Sequence, residues 1–182
     1  EAICERHRQA GHGQLVRSRT GLRIDPYFSA SKLQWLIEAD RGLEDQLRNG
    51  SAVAGTIDAY LVHRLTGGRV FATDATNASR TLLFDIGKRT WDAELLSLFS
   101  VPASCLPEIR PSDATFGETD LDGFLPRPIP ITGVMGDSQA SLLAQRCFER
   151  GTAKVTLGTG SSILVNIGST RQPGENGVVE AL

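Results

Sequence analysis

A short apolar run, residues 129–135, leads straight into Gly136-Asp137, and the next eleven residues, 138–148, repeat Ala140, Leu143, Ala144 and Cys147 at helical spacing. A buried strand that turns into a helix through Gly-Asp belongs to an α/β layer, and such layers gather ligand-binding groups at the carboxyl ends of their strands. Gly136 lets a second group come close to the backbone, and Asp137, partly sheltered at the helix start, could stand beside a bound hydroxyl as a general base. The same pattern also fits a plain N-cap, since Asp is a favoured capping residue.

Composition narrows the classes. The 182 residues are 40% hydrophobic and 22% charged, the balance of a globular chain and not of a disordered one. A net charge of -2 offers no basic surface for nucleic acid, and no apolar run approaches the roughly 18 residues of a membrane span. Cys4, Cys105 and Cys147 lie far apart without a C-x-x-C pair, which argues against a disulfide framework or a zinc knuckle and for a reducing, cytoplasmic setting. A homo-oligomer is compatible with this composition. The chain opens on Glu1 inside a helical pattern and closes on an unfinished apolar run at 178–182, so it reads as an internal segment of a longer protein.

Along the chain, residues 2–10 read as a helix stopped by Gly11 and Gly13, followed by a loop through Thr20-Gly21 and Asp25-Pro26. Ser29 and Ser31 are candidate N-caps for a helix to about Ala39, and Thr56 for a second one carrying Ile57, Tyr60, Leu61 and Leu65. A strand at 70–73 and a helix at 91–99 follow. Six of the eight prolines fall within residues 102–130, which predicts a long irregular connection. Two strands, 153–157 and 161–167, flank Gly158-Thr159-Gly160 in the manner of a hairpin.

That Gly-Thr-Gly bend is the second chemical candidate. Its backbone N–H groups and the Thr159 hydroxyl could form a nest for phosphate oxygens, although hairpins also use glycine merely for its freedom at positive φ. Neither a Walker A loop nor a G-x-G-x-x-G fingerprint occurs. His7, His12 and His63 are scattered and read as solvent-exposed, with no metal site among them, and Arg17, Arg19 and Arg23 read as a solvated loop face. Asn77-Ala78-Ser79 reads as a polar turn, and Tyr27 as either a core edge or a ligand contact.

Taken in order, GLRIDPYFSASKLQWLI (21–37), GTIDAYLVHRLTGG (55–68), TDATNASRTLLFDI (73–86), LPEIRPS (106–112), ITGVMGDSQASLLAQRCF (131–148) and TAKVTLGTGSSILVNIG (152–168) resemble the FGGY family of carbohydrate kinases, in particular its glycerol-phosphorylating branch. The resemblance runs over nearly all of the chain. It implies an α/β, actin-like (ribonuclease H-like) kinase fold of two domains with a cleft between them. Residues 1–148 would form the latter part of the first domain, and 151–182 the first hairpin of the second. It implies Asp137 as catalytic base, contacts from Gly158, Thr159 and Gly160 to ATP phosphates, and substrate contacts from Tyr27, Asp137, Ser138 and Ser162. The implied reaction is transfer from ATP, with Mg2+, to a hydroxyl of a small polyol or sugar, glycerol first; a non-catalytic actin-like module is the alternative.

Two departures from the branch bear on the substrate. Ser138 stands where glutamine usually follows the aspartate, and Ser161-Ser162 stand where cysteine and phenylalanine usually follow the bend. A hydroxyl in place of an aromatic wall leaves room for a larger or more polar alcohol. The family's D-x-G-T phosphate motif, its substrate-gripping Arg-Glu pair and its adenine-binding half have no counterpart within 1–182.

Overall fold

The computed structural model describes residues 1–171 and 178–182. Its helices are α1 (Ala2–Gln9), α2 (Gly13–Thr20), α3 (Ser29–Ala39), α4 (Arg41–Asn49), α5 (Ile57–Leu65), α6 (Ala75–Ala78), α7 (Ala93–Leu98) and α8 (Asp137–Ala144). Its strands are β1 (Ala72–Asp74), β2 (Phe84–Asp85), β3 (Thr90–Trp91), β4 (Glu108–Arg110), β5 (Glu118–Thr119), β6 (Ile129–Pro130), β7 (Ala153–Thr156) and β8 (Ser162–Val165).

The main core forms where α1 to α4 meet α7. Cys4, Val16, Leu22, Phe28, Ile37, Leu82, Leu83, Leu95, Phe99 and Cys105 pack there, and each fully buried large apolar side chain contributes about 1.5–3 kcal/mol. Strands pair two by two among the described residues: β1 with β4 in parallel, and β2 with β3, β5 with β6 and β7 with β8 antiparallel. The parallel pair sets Asp74 against Arg110, so that the end of β1 faces the start of the proline-rich connection.

Several expectations need correction. Residues 13–20 form α2 and not a loop: Gly13 takes a helical place and the stop comes at Gly21, at φ +72. A side chain at Gly21 would put its Cβ 2.5 Å from Glu180 Cβ, so both backbone and space demand glycine there. Helix α4, mostly polar, is started by Asp40, whose side chain accepts from Gly42 N, and closed by Gly50 at φ +81. Ser29 and Ser31 lie inside α3, with Phe28 at the N-cap. His7 is 93% shielded, not exposed: it is 7% exposed and bonded through Nε2 to Gln34 Oε1 at 2.8 Å. Arg19 lies on α2 within 3.6–3.7 Å of Asp85, Asp92 and Glu94. Asn77-Ala78-Ser79 belongs to α6 and its C-cap.

The run at 129–135 also differs from a buried strand. Only β6 forms, and both of its residues are exposed. Pro130 has no N–H to give to a ladder and Gly133 interrupts the run. Beyond the hairpin, the chain returns to α2: Arg171 donates to Ser18 O at 2.9 Å and pairs with Glu180 at 3.0 Å, while Glu180 N donates to Gly21 O at 3.0 Å.

Candidate active site

Asp137 is the first residue of α8, and Gly136 is the N-cap. The capping explanation therefore does not account for it: its Oδ1 accepts from the N–H of Ser138 at 2.6 Å. Asp137 is exposed, not partly sheltered as the sequence predicts, because the run ahead of it is not a buried strand and α8 buries none of its residues. Gly136 takes an ordinary extended conformation, φ -59 and ψ 140, so backbone freedom is not the reason for glycine. A Cβ there would lie 2.8 Å from Gln139 Oε1, the movable end of a flexible side chain, and 3.4 Å from Thr76 Oγ1, an ordinary contact. The Gly136 N–H donates to the same Thr76 hydroxyl at 2.7 Å, across 60 residues of chain. The residue ahead of the carboxylate is thus held by α6.

The hairpin supplies the facing group. In the β7–β8 register Thr156 pairs with Ser162 and Lys154 with Leu164. Alternation along a strand puts all four side chains on one face, while Val155, Ile163 and Val165 on the other are exposed. Lys154 is buried to 2% exposure. Its Nζ donates to Thr156 Oγ1 at 2.7 Å and reaches Ser138 Oγ at 3.5 Å. Ser138, next to Asp137, and Ser162, half-buried at the start of β8, therefore lie on the same side of the hairpin as this ammonium. Lys154 was not singled out from the sequence. The signal was its place in A-K-V-T, where alternation assigns a lysine to the shielded face.

The Gly158-Thr159-Gly160 bend joins the two strands and is exposed throughout. Neither glycine takes positive φ. A Cβ would meet Gly160 O at 3.5 Å from position 158 and nothing within 4 Å from position 160. Hairpin geometry therefore does not require glycine at either place. No hydrogen bond joins the bend to Asp137 among the described residues.

Tyr27 stands on the 21–28 loop and is 72% exposed, which removes the core-edge alternative. Its N–H donates to Asp25 Oδ1 at 2.8 Å and its carbonyl accepts from Lys32 Nζ at 2.9 Å, fixing the backbone. The ring lies edge-on to Phe28, with centroids 5.3 Å apart, and the Arg80 guanidinium lies 5.0 Å from the Phe28 centroid. Burial pulls the Arg80 pKa down, and the Tyr27 phenol works against that shift. Tyr27 borders a groove with Arg17, Arg23 and Val179, and no hydrogen bond or ring contact connects it to Asp137 among the described residues.

A model of the FGGY family of carbohydrate kinases, N-terminal domain, matches residues 1–144. The chain belongs to the FGGY family. This FGGY chain is 51% identical over 181 residues to a glycerol kinase of Thermus brockianus, covering 100% of the chain and 36% of that relative. It is 53% identical over 167 residues to a glycerol kinase of Xanthobacter autotrophicus, covering 92% of the chain and 33% of the relative. The chain therefore spans about a third of the length of the curated relatives it matches. The crystal structure of Plasmodium falciparum glycerol kinase with ADP superposes with a TM-score of 0.81 at 35% identity, over 91% of this chain and 33% of that one. A xylulose kinase from Rhodospirillum rubrum, TM-score 0.77 at 23% identity over 91% of this chain and 33% of that one, shares the fold. The α/β, actin-like fold expected from the resemblance is that of these neighbours.

Proposed function

We propose that this segment carries the alcohol-activating part of an ATP-dependent polyol kinase, with glycerol the first substrate and glycerol 3-phosphate the product. The observation that carries it is Asp137 at the head of α8, exposed, with its preceding residue tied down and a buried lysine beside its neighbour. Likeness to glycerol kinases at 51–53% identity supports the substrate class. Phosphoryl transfer asks for positioning and charge neutralisation more than for covalent chemistry. Asp137 would accept the proton of the attacking hydroxyl. Tyr27, Ser138 and Ser162 would contact the polyol, and Gly158, Thr159 and Gly160 the phosphates of ATP. The two glycines without a conformational reason suit a bend that a ligand approaches closely.

Mg2+ fits as an ion carried by the nucleotide. Among the described residues no cluster of three or more His, Cys, Asp or Glu side chains stands ready for a metal, and Mg2+ is usually held by one or two carboxylates plus phosphate oxygens. Asp137, with Oδ1 turned to Ser138 N, has its other oxygen to offer. Bound there, the ion would supply charge neutralisation at the phosphates. We place the domain boundary between 148 and 151; the family match ending at 144, where α8 ends, supports this.

Ser162 favours a second reading of the substrate, a larger or more polar sugar or polyol, because a small hydroxyl borders the shielded hairpin face. The test is turnover of the complete kinase chain on a panel of polyols, with and without Asp137→Asn. The substitution should reduce kcat by about 10² to 10⁴-fold, the range of a lost general base, while nucleotide affinity measured by calorimetry stays near wild type. Wild-type turnover in that variant would refute the assignment.

A further inference from the structure

We propose that Thr76, locked by the buried carboxylate of Asp74, is a positioning residue for this reaction: its hydroxyl fixes the Gly136 N–H and thereby aims Asp137. The inference rests on the reading of Asp137 as the base.

Asp74 ends β1 and is fully buried. Its Oδ1 accepts from Asn77 N at 3.1 Å and Asn77 Nδ2 at 2.7 Å. Its Oδ2 accepts from Thr76 N at 3.0 Å, Thr76 Oγ1 at 2.7 Å and Ser112 Oγ at 2.6 Å. The Thr76 hydroxyl proton is thus committed to Asp74. What the hydroxyl has left is acceptor capacity alone, and the Gly136 N–H takes it up at 2.7 Å. The direction of every bond in this relay is determined, so the hydroxyl has no rotor freedom to lose.

The relay has a second arm. Ser112, tied to the same Asp74 oxygen through its side chain, accepts the Val134 N–H on its carbonyl at 3.0 Å. One carboxylate therefore governs both Val134 and Gly136. These bonds matter because the β5–β6 pairing reaches only to Ile131, which donates to Gly117 O at 2.8 Å and accepts from Phe116 N at 2.7 Å, while residues 132–136 lie in no strand and have no ladder to set their register. Helix capping by Asp74 explains the Thr76 and Asn77 N–H bonds. It does not explain why the Thr76 hydroxyl and Ser112 converge there and reach on to the segment ahead of Asp137.

The experiment uses the complete kinase chain. Thr76→Val swaps the hydroxyl for a methyl of similar shape. It should lower kcat roughly 10- to 100-fold, the scale set by displacing a reacting group by about 1 Å, with KM for alcohol and ATP nearly unchanged. Thr76→Ser keeps the hydroxyl and should recover most of the loss. A merely structural threonine would lower the melting temperature and leave kcat per folded molecule at the wild-type level; that result overturns the proposal. If the valine variant does not fold, amide exchange in the wild-type protein decides. Protection of Gly136 N–H comparable to the α8 interior sustains the proposal, and exchange as fast as an exposed loop overturns it. Asp137→Asn, measured alongside, keeps the two claims apart. If it turns over normally, the base assignment falls and the positioning role with it; if it is inactive while Thr76→Val is unimpaired, only the positioning role falls.

Discussion

Lys154 shows what a single side chain can reveal. At 2% exposure its ammonium meets two hydroxyls, those of Thr156 and Ser138, and no carboxylate among the described residues. Burying a charge without a counter-charge is costly, and replacing buried ionic groups with apolar ones of similar volume is often neutral or stabilising. Lys154→Met should therefore leave the urea midpoint unchanged or raise it, by up to about 1–2 kcal/mol in unfolding free energy, while turnover of the complete chain falls. A clear drop in stability would assign Lys154 to the scaffold. Asp74 differs: it too is buried, but five described donors satisfy it. Its capping of α6 could be suspected from T-D-A-T-N-A-S, but Ser112 and Gly136 lie too far along the chain for spacing to bring them in.

At the level of elements, legibility followed local signals. Helices α3, α5 and α8 and the β7–β8 hairpin could be read because apolar spacing or a glycine bend marked them. Helix α2 was hidden by Gly13, which looked like a stop, and α4 by its polar surface, where Leu43 and Leu47 are the large apolar residues. The proline-rich connection was legible as irregular, yet it supplies β4, whose partner β1 is distant in sequence, and β5 and β6, two-residue strands that pair with each other. Asp92, the cap of α7, was legible only as part of a helix start. Its Oδ1 accepts from Glu94 N at 3.0 Å and Leu95 N at 2.9 Å, and Oδ2 lies 3.7 Å from Arg19. Asp92→Ala should cost about 1 kcal/mol, up to about 2, in chemical denaturation, and Asp92→Asn distinctly less. Equal losses would mean that the contact with Arg19, and not the cap, matters.

For the whole molecule, the candidate site is distributed over two structural settings: Asp137, Ser138 and Tyr27 on the helical body, and Lys154, Ser162 and the 158–160 bend on the hairpin. The outer face of that hairpin, with Val155, Ile163 and Val165 about half to two-thirds exposed, has no cover among the described residues. With the chain matching 36% of a glycerol kinase, the purified 182 residues alone should release no alcohol-dependent ADP in a coupled assay; measurable release would mean that this third of the protein suffices.

The ties past β8 bear on the bend. Asn166 donates to Cys147 O at 2.9 Å, and farther along the chain Arg171 donates to Ser18 O and Glu180 N to Gly21 O. All of them hold the open end of the hairpin, so the place of the Thr159 tip rests on the four-pair β7–β8 ladder that carries it.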